Sequence, residues 1–421
     1  MSAEAQPQPI GLPHAVFLQR VADEPESSPE VRLGQGAFLA LRFVDLLASD
    51  REPPSAEVFR YQWAATERYC VELSGEGTEA AHLAGIVRAT GEAHRTGDVR
   101  VLAPALLAYA LYLEEETAQL EEAEDVLLTL PRVAGERLST ADRIAAALRL
   151  GRVLRKLTQW DEAEAAYADA GRIAAAAGDR QSVLFSRIGH CNVAHYRGNL
   201  AESERGWRGV LADATAGGYR YVEANAEHGL GNVLQRRGQS HEAAPHLWHA
   251  YELFEDGRSQ LRALGDLGLA LLSLGEVDAA ERALHQVVRR GGPTDLVTNA
   301  LLELMHCASF RRDRVGFERW RERCLGSLEQ APPNIRADYH LKAGIGLARF
   351  GNYRRAEADL GRALDIAVAH ELHEMVFRIE RIKSGLRDCE ALEQVENHAA
   401  EPAVWTEAVR EVSASLAALN A

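Results

Sequence analysis

Apolar and small residues recur along this chain about every 40 positions, and within each recurrence they follow a helical spacing. Leu150-Gly151, Leu154, Ala163, Tyr167 and Ala170 return as Leu230-Gly231, Leu234, Ala243, Leu247 and Ala250. They return again as Leu267-Gly268, Leu271, Ala280 and Leu284, and as Gly344, Leu347, Ala356, Leu360 and Ala363. The small residue opening each second half can be followed through Ala123, Ala163, Ser203, Ala243, Ala280 and Ala356. Its steps are 40, 40, 40, 37 and 76, the last covering two units with a degenerate one between them. A fixed period in this range marks a solenoid, in which no unit can bury its apolar face alone and each depends on its neighbours.

Each unit divides into two helical halves at a glycine-containing turn: Gly198-Asn199, Gly238-Gln239, Gly275-Glu276 and Gly351-Asn352. Glycine there supplies the left-handed conformation that ends a helix. Pro245, one turn into a second helix, is expected to kink that helix or shift its start. The segment from Thr298 to Leu325 is the weakest repeat, with Trp320 expected at its large-residue position. Four regions follow: a flexible, proline-rich and acidic tail over residues 1–30, a helical cap over 31–100, repeats over 101–385, and a terminal capping helix over 386–421 holding Trp405 and Val409. Within the cap, Phe59, Trp63, Thr66 and Tyr69 form a stripe expected to be core. A self-association surface on the cap helices, giving a homo-oligomer, is the alternative.

The glycine after leucine in a first helix notches its apolar stripe, the alanine opposite does the same for the second helix, and bulky residues such as Tyr167, Trp207, Leu247 and Leu360 fill the gaps between units. With this pattern, residues 104–383 resemble tandem tetratricopeptide repeats. The long period is similar to that of kinesin light chains, bacterial peptide-pheromone receptors and large bacterial transcriptional activators. The family's first-helix tryptophan is missing from these units. The resemblance implies an all-α fold, a right-handed α-α superhelix built as a solenoid of antiparallel helix pairs, and it implies little about function.

Composition sharpens this picture. Hydrophobic residues make up 47% of the chain and aromatics only 6%, which suits helices packed closely through alanine, leucine and valine. A net charge of −15 argues against direct nucleic-acid binding, because neutralising phosphates requires clustered Lys and Arg. The five cysteines (Cys70, Cys191, Cys307, Cys324 and Cys389) lack metal-ligand spacing and read as reduced thiols in a cytoplasmic protein. No segment is apolar enough for a membrane span and none reads as a secretion signal. The excess of Ala, Gly and Arg suggests a GC-rich bacterial genome.

Chemistry-bearing motifs are sparse. His241-Glu242-Ala243-Ala244-Pro245-His246 superficially resembles a zinc-protease motif, but its histidines are five apart and Pro245 interrupts their helix. His246 with His249, or His370 with His373, can share a helix face, yet a pair alone is a weak ligand set. No nucleophile elbow or phosphate loop is present. The sequence therefore points to no catalytic residue, no metal, no cofactor and no enzyme. The binding candidates are first-helix residues outside the packing stripe: Arg149, Arg152 and Lys156, then Asn192, His195 and Tyr196, then Asn225, His228, Asn232 and Arg236. Asn192 and Asn232 occupy the same repeat position. Their amides can each donate to and accept from an extended backbone, and the Arg and Lys side chains can engage carboxylates. The expected function is a scaffold or adaptor that binds a peptide or protein segment in a concave groove. The alternatives are a ligand- or peptide-sensing regulator acting through a partner and a structural subunit of a larger assembly.

Overall fold

The computed structural model describes residues 12–20, 28–48, 54–329, 331–392 and 406–419, with side chains up to residue 385 in the helix that ends at Leu392. Two compact units divide the chain, residues 1–199 and 200–421. The first contains a 3-10 turn (Ala15–Leu18) and helices α1 (Pro29–Val44), α2 (Ala56–Glu72), α3 (Thr78–Thr96), α4 (Leu102–Glu115), α5 (Leu120–Ala134), α6 (Thr140–Lys156), α7 (Trp160–Ala177) and α8 (Arg180–Tyr196). The second contains α9 (Leu200–Gly217), α10 (Arg220–Arg236), α11 (Ser240–Leu253), α12 (Gly257–Ser273), α13 (Val277–Arg290), α14 (Thr294–Phe310), α15 (Arg314–Leu328), α16 (Pro333–Arg349), α17 (Tyr353–Ala369), α18 (His373–Leu392) and α19 (Glu407–Ala418). No strand occurs among the described residues. The fold is an all-α solenoid in which α4 pairs with α5, α6 with α7, α10 with α11, α12 with α13, α14 with α15 and α16 with α17.

The turn inside each pair has one geometry. Gly198, Gly238, Gly275 and Gly351 take φ values of 84°, 78°, 78° and 76°. Ala118, Thr158 and Arg312 hold the same turn at 56°, 61° and 57° without the help of glycine. In the turns that follow α6, α10 and α14, the amides of Gln159, Gln239 and Asp313 close back on the carbonyls of Leu154, Leu234 and Ala308 at 3.0, 2.9 and 3.0 Å. These bonds satisfy carbonyls that the helix end would otherwise leave without a partner. Pro245 is accommodated inside α11, which begins at Ser240 directly after its turn like the other second helices.

Close approach at the glycines sets the pairing. A Cβ placed on Gly151 would lie 2.8 Å from the Tyr167 ring, on Gly231 2.7 Å from Leu247, on Gly268 2.8 Å from Leu284 and on Gly344 2.8 Å from Leu360. Tyr167 also fills the space left by Gly189 of α8, and Trp207 of α9 fills that left by Gly229 of α10. The weak repeat is a regular helix pair in which Phe317 occupies the alanine place and Met305 the glycine place. Phe317, rather than Trp320, is lodged against the following unit, where Gly346 of α16 makes room for its ring. A bulky residue at the small position, offset by a glycine in the next helix, hides this unit from a search for the repeat.

Both ends differ from the sequence reading. Residues 12–20 are anchored instead of forming part of a flexible tail, while residues 1–11 and 21–27 lie outside the described residues. Phe17 is fully buried, its ring stacked on Tyr109 at 6.3 Å. The Arg20 guanidinium is enclosed by two buried carboxylates, donating to Glu79 at 3.0 Å and to Glu122 at 2.8 Å, and the Tyr109 hydroxyl also donates to Glu79 at 2.7 Å. His14, also buried, bridges Asp125 at 2.5 Å and Asp45 at 3.3 Å, and Arg132 reaches Asp45 at 2.6 Å. This charged lock, in which His14 and Arg20 bring cationic groups to buried carboxylates, explains why residues 12–20 order. At the other end α18 packs on α17, with Ile379 buried beside Leu360, Ala363 and Ala367. The last helix, α19, lies on second helices α11 and α13, burying Val409, Val412 and Leu416, so the end it was expected to cap is covered by α18. Trp405 falls outside the described residues.

Two measurements check this packing. Gly151→Ala should lower stability by about 1–3 kcal/mol through overpacking against Tyr167. Gly85→Ala, whose Cβ would meet nothing within 4 Å, should instead raise stability by roughly 0.5–1 kcal/mol. Thermal melts of the two variants give opposite shifts. The second concerns pH. Burial opposes protonation of His14, but its bonds with Asp125 and Asp45 outweigh this and raise its pKa above the ordinary 6.5. Burial likewise opposes ionisation of Asp45, yet His14 and Arg132 hold it below its ordinary 3.8. The His14 contribution is thus fully present below 6.5 and fades as pH rises through its raised folded value, whereas that of Asp45 fades only as pH falls below 3.8. The stability deficit of His14→Gln, followed by denaturant unfolding, should therefore be largest at pH 5–6 and shrink as pH is raised above 6.5.

Candidate binding face

First helices of successive pairs touch one another: α4 with α6 and α6 with α8 in the first unit, then α10 with α12, α12 with α14, α14 with α16 and α16 with α18 in the second. That contact puts the first helices on the inner side of each unit. In the second unit the inner side curves enough for Arg236 of α10 to donate to Glu374 of α18 at 3.2 Å.

In the first unit, Arg149, Arg152 and Lys156 do not stand free for a ligand. They converge from α6 on Glu114 of α4 at 3.1, 2.6 and 2.8 Å, and Arg152 also pairs with Glu115. The Glu114 side chain is fully buried. Burial alone would raise its pKa, but the bonds from Arg152 and Lys156 bring it below its ordinary value. These cations are spent on a structural lock between neighbouring first helices. Farther along the face, Asn192 is half-buried and Tyr196 is 54% exposed. Arg155 lies 4.8 Å above the Tyr196 ring, Trp160 stacks on that ring at 6.5 Å, and His195 meets it edge-on at 5.3 Å. This aromatic shelf is formed by α7 and α8 within the first unit.

In the second unit, His228 faces Asp266 at 2.7 Å and the Asn232 amide lies 3.4 Å from the same imidazole. Asn225 donates to the Tyr221 carbonyl at 2.7 Å. Between α14 and α16, Lys342 is buried between Glu303 and Asp338, the latter at 2.7 Å. Burial, then Lys342 and Arg349, push His306 well below its ordinary pKa. Burial and Arg312 bring Arg349 down to about 10, and its guanidinium lies 3.8 Å above the Phe310 ring. Glu303, His306 and Lys342 fix α14 to α16 and present little to solvent.

The sequence reading missed a recess at the starts of α12, α14 and α16. It has a volume of about 240 Å³ and is lined by Arg258, Arg262, Asp295, Asn299 and Asn334 over an apolar floor of Pro293, Leu296 and Ile335. Arg258, Arg262 and Asn334 are exposed and Asn299 is half-buried. Arg262 makes no ion pair among the described residues. A signal was present, because Asn225, Arg262 and Asn299 follow one another at 37-residue steps on the same helix position. The signal is blurred because the period shortens there from 40 to 37. Chemically, the recess offers guanidinium and amide donors, amide acceptors, the Asp295 carboxylate and a small apolar surface. Among the described residues no group of three or more His, Cys, Asp or Glu could hold a metal ion, and no helix is long and apolar enough to cross a membrane.

No protein-family model matches the chain, and no curated protein matches it. Similar solved structures include tetratricopeptide-like repeats of a putative kinesin light chain from Podosopora anserina, 21% identical over 44% of this chain and 92% of that one, with a TM-score of 0.34. A Rap protein complexed with competence and sporulation factor is 13% identical, covering 88% of this chain and 100% of that one, with a TM-score of 0.45. Aspartyl phosphate phosphatase F from Bacillus subtilis is 9% identical, covering 82% and 94%, with a TM-score of 0.47. The helix pairing described above stands without them.

The lock on Glu114 makes a direct prediction. Glu114→Gln should cost roughly 2–4 kcal/mol, toward the low side for orphaned buried charge because the three cations reach solvent. Lys156→Met should cost less, since Arg149 and Arg152 still hold the carboxylate. Denaturant unfolding of both variants ranks the two.

Proposed function

We propose that the protein is a non-catalytic cytoplasmic scaffold that binds an extended peptide or protein segment along the inner face of its solenoid. The observation that carries this reading is the ladder of Asn225, Arg262 and Asn299 along the first helices of the second unit, which leads into the recess lined by Arg258 and Asn334. Amides repeated along one face suit a ligand whose own amides repeat, because each side chain can both donate and accept. Guanidiniums in the recess add a preference for a carboxylate at one end of the segment. Asn232 belongs to this reading as a first-helix residue beside the packing stripe of the second unit; in the first unit Asn192 and Tyr196 hold such places on α8. Arg149, Arg152 and Lys156 leave it, because Glu114 occupies them.

The test begins with peptides enriched from a random display library on the intact protein. Their affinity should fall about tenfold or more in Arg262→Ala with Asn299→Ala, equivalent to at least about 1.4 kcal/mol of binding free energy. Both side chains leave the packed stripe, so the melting temperature should change little. Undiminished affinity in the double variant would contradict the inner-face reading.

A further inference from the structure

The side of the second unit formed by second helices carries a feature that the inner-face reading does not use. α15 is rich in arginine in a chain of net charge −15. Its Arg321 is paired with Glu318 at 2.8 Å, and Arg311, just before the helix, reaches Asp278 and Glu281. Arg319 and Arg323 differ. Both guanidiniums lie over the Trp320 ring, at 5.0 and 5.5 Å from its centre, and neither meets a carboxylate within 4.0 Å among the described residues. His285 of α13 is the third group of the cluster, its ring 5.5 Å from that of Trp320. Partial burial and then the two guanidiniums push its pKa below the ordinary 6.5. Two like charges one helical turn apart repel, and Glu322, between them in sequence, pairs with neither within 4.0 Å, so they leave a positive site on an acidic molecule.

We propose that this face of α15 is a docking surface for an acidic protein segment. Trp320 is only 9% exposed and serves as a fixed platform. A guanidinium resting on an aromatic face keeps its planar N–H edge available, and that edge matches a carboxylate bidentately. The one-turn spacing of Arg319 and Arg323 fits two carboxylates about 6–7 Å apart, a separation found one turn apart on a helix or at alternate residues of an extended strand. Val315, 80% exposed and one turn before Arg319, offers an apolar contact to a side chain beside those carboxylates. A nucleic acid fits this surface less well, because its regular phosphates call for a longer run of cations than this isolated cluster supplies.

The experiment uses the full chain and a fluorescent ten-residue peptide rich in Glu with one Leu, its all-Gln counterpart, and a short DNA duplex. The Glu peptide should bind by anisotropy, weaken steeply with salt, and lose about tenfold or more in Arg319→Gln with Arg323→Gln. Arg321→Gln, which removes the arginine already paired with Glu318, should leave binding unchanged, and the Gln peptide should not bind. Absence of binding to the Glu peptide, equal binding to both variants, or tighter binding of the duplex would each overturn the proposal. Because the inner face is tested with Arg262 and Asn299, failure of one reading leaves the other standing.

Discussion

Backbone approach between helices is the constraint on which the rest of this molecule depends. Glycine at Gly151, Gly231, Gly268 and Gly344 lets a bulky side chain of the paired helix lie where a Cβ would otherwise sit. With aromatics at 6% of the chain, large rings are few, and Tyr167 joins units by reaching both its own partner helix and the following one. Small-residue packing of this kind brings many dispersion contacts at short range and tolerates little change in volume. It also fixes which face of every first helix is hidden, and therefore which side chains remain to meet a ligand.

The remaining first-helix side chains are divided between those drawn into ion pairs and those left open. In the first unit, three cations that sequence alone marks as ligand-binding are drawn onto the buried Glu114. In the second, Lys342 is drawn between Glu303 and Asp338 in the same way. Buried ion pairs contribute little net stability but are costly to break, so they set the register of one helix against the next. What stays open is a polar ladder at another position on the helices, ending in the recess at the starts of α12, α14 and α16.

The legibility of this architecture follows from the same physics. Repeats held by glycine and alanine notches declare themselves, because only small residues fit there; the Gly238 and Gly275 turns were equally clear. Thr158 and Arg312 adopt that turn without glycine, and Phe317 fills a small-residue place with compensation from Gly346, so neither was readable locally. The order in residues 12–20 was hidden for another reason. Arg20 and His14 are satisfied by carboxylates roughly thirty to a hundred and ten residues away, and composition cannot report such partners. The roles of Arg149, Arg152 and Lys156 were misjudged for the same cause. Helix register places them outside the packing stripe but cannot reveal Glu114 beneath them.

Amide hydrogen exchange of the intact protein, with and without a saturating library-derived peptide, tests the central claim most directly. If the inner face binds the segment, added protection should appear in first helices α10, α12, α14 and α16, strongest around Arg258–Arg262 and Asn299, and be absent from second helices α11 and α13. Protection confined to second helices, or spread evenly over both, would contradict the account.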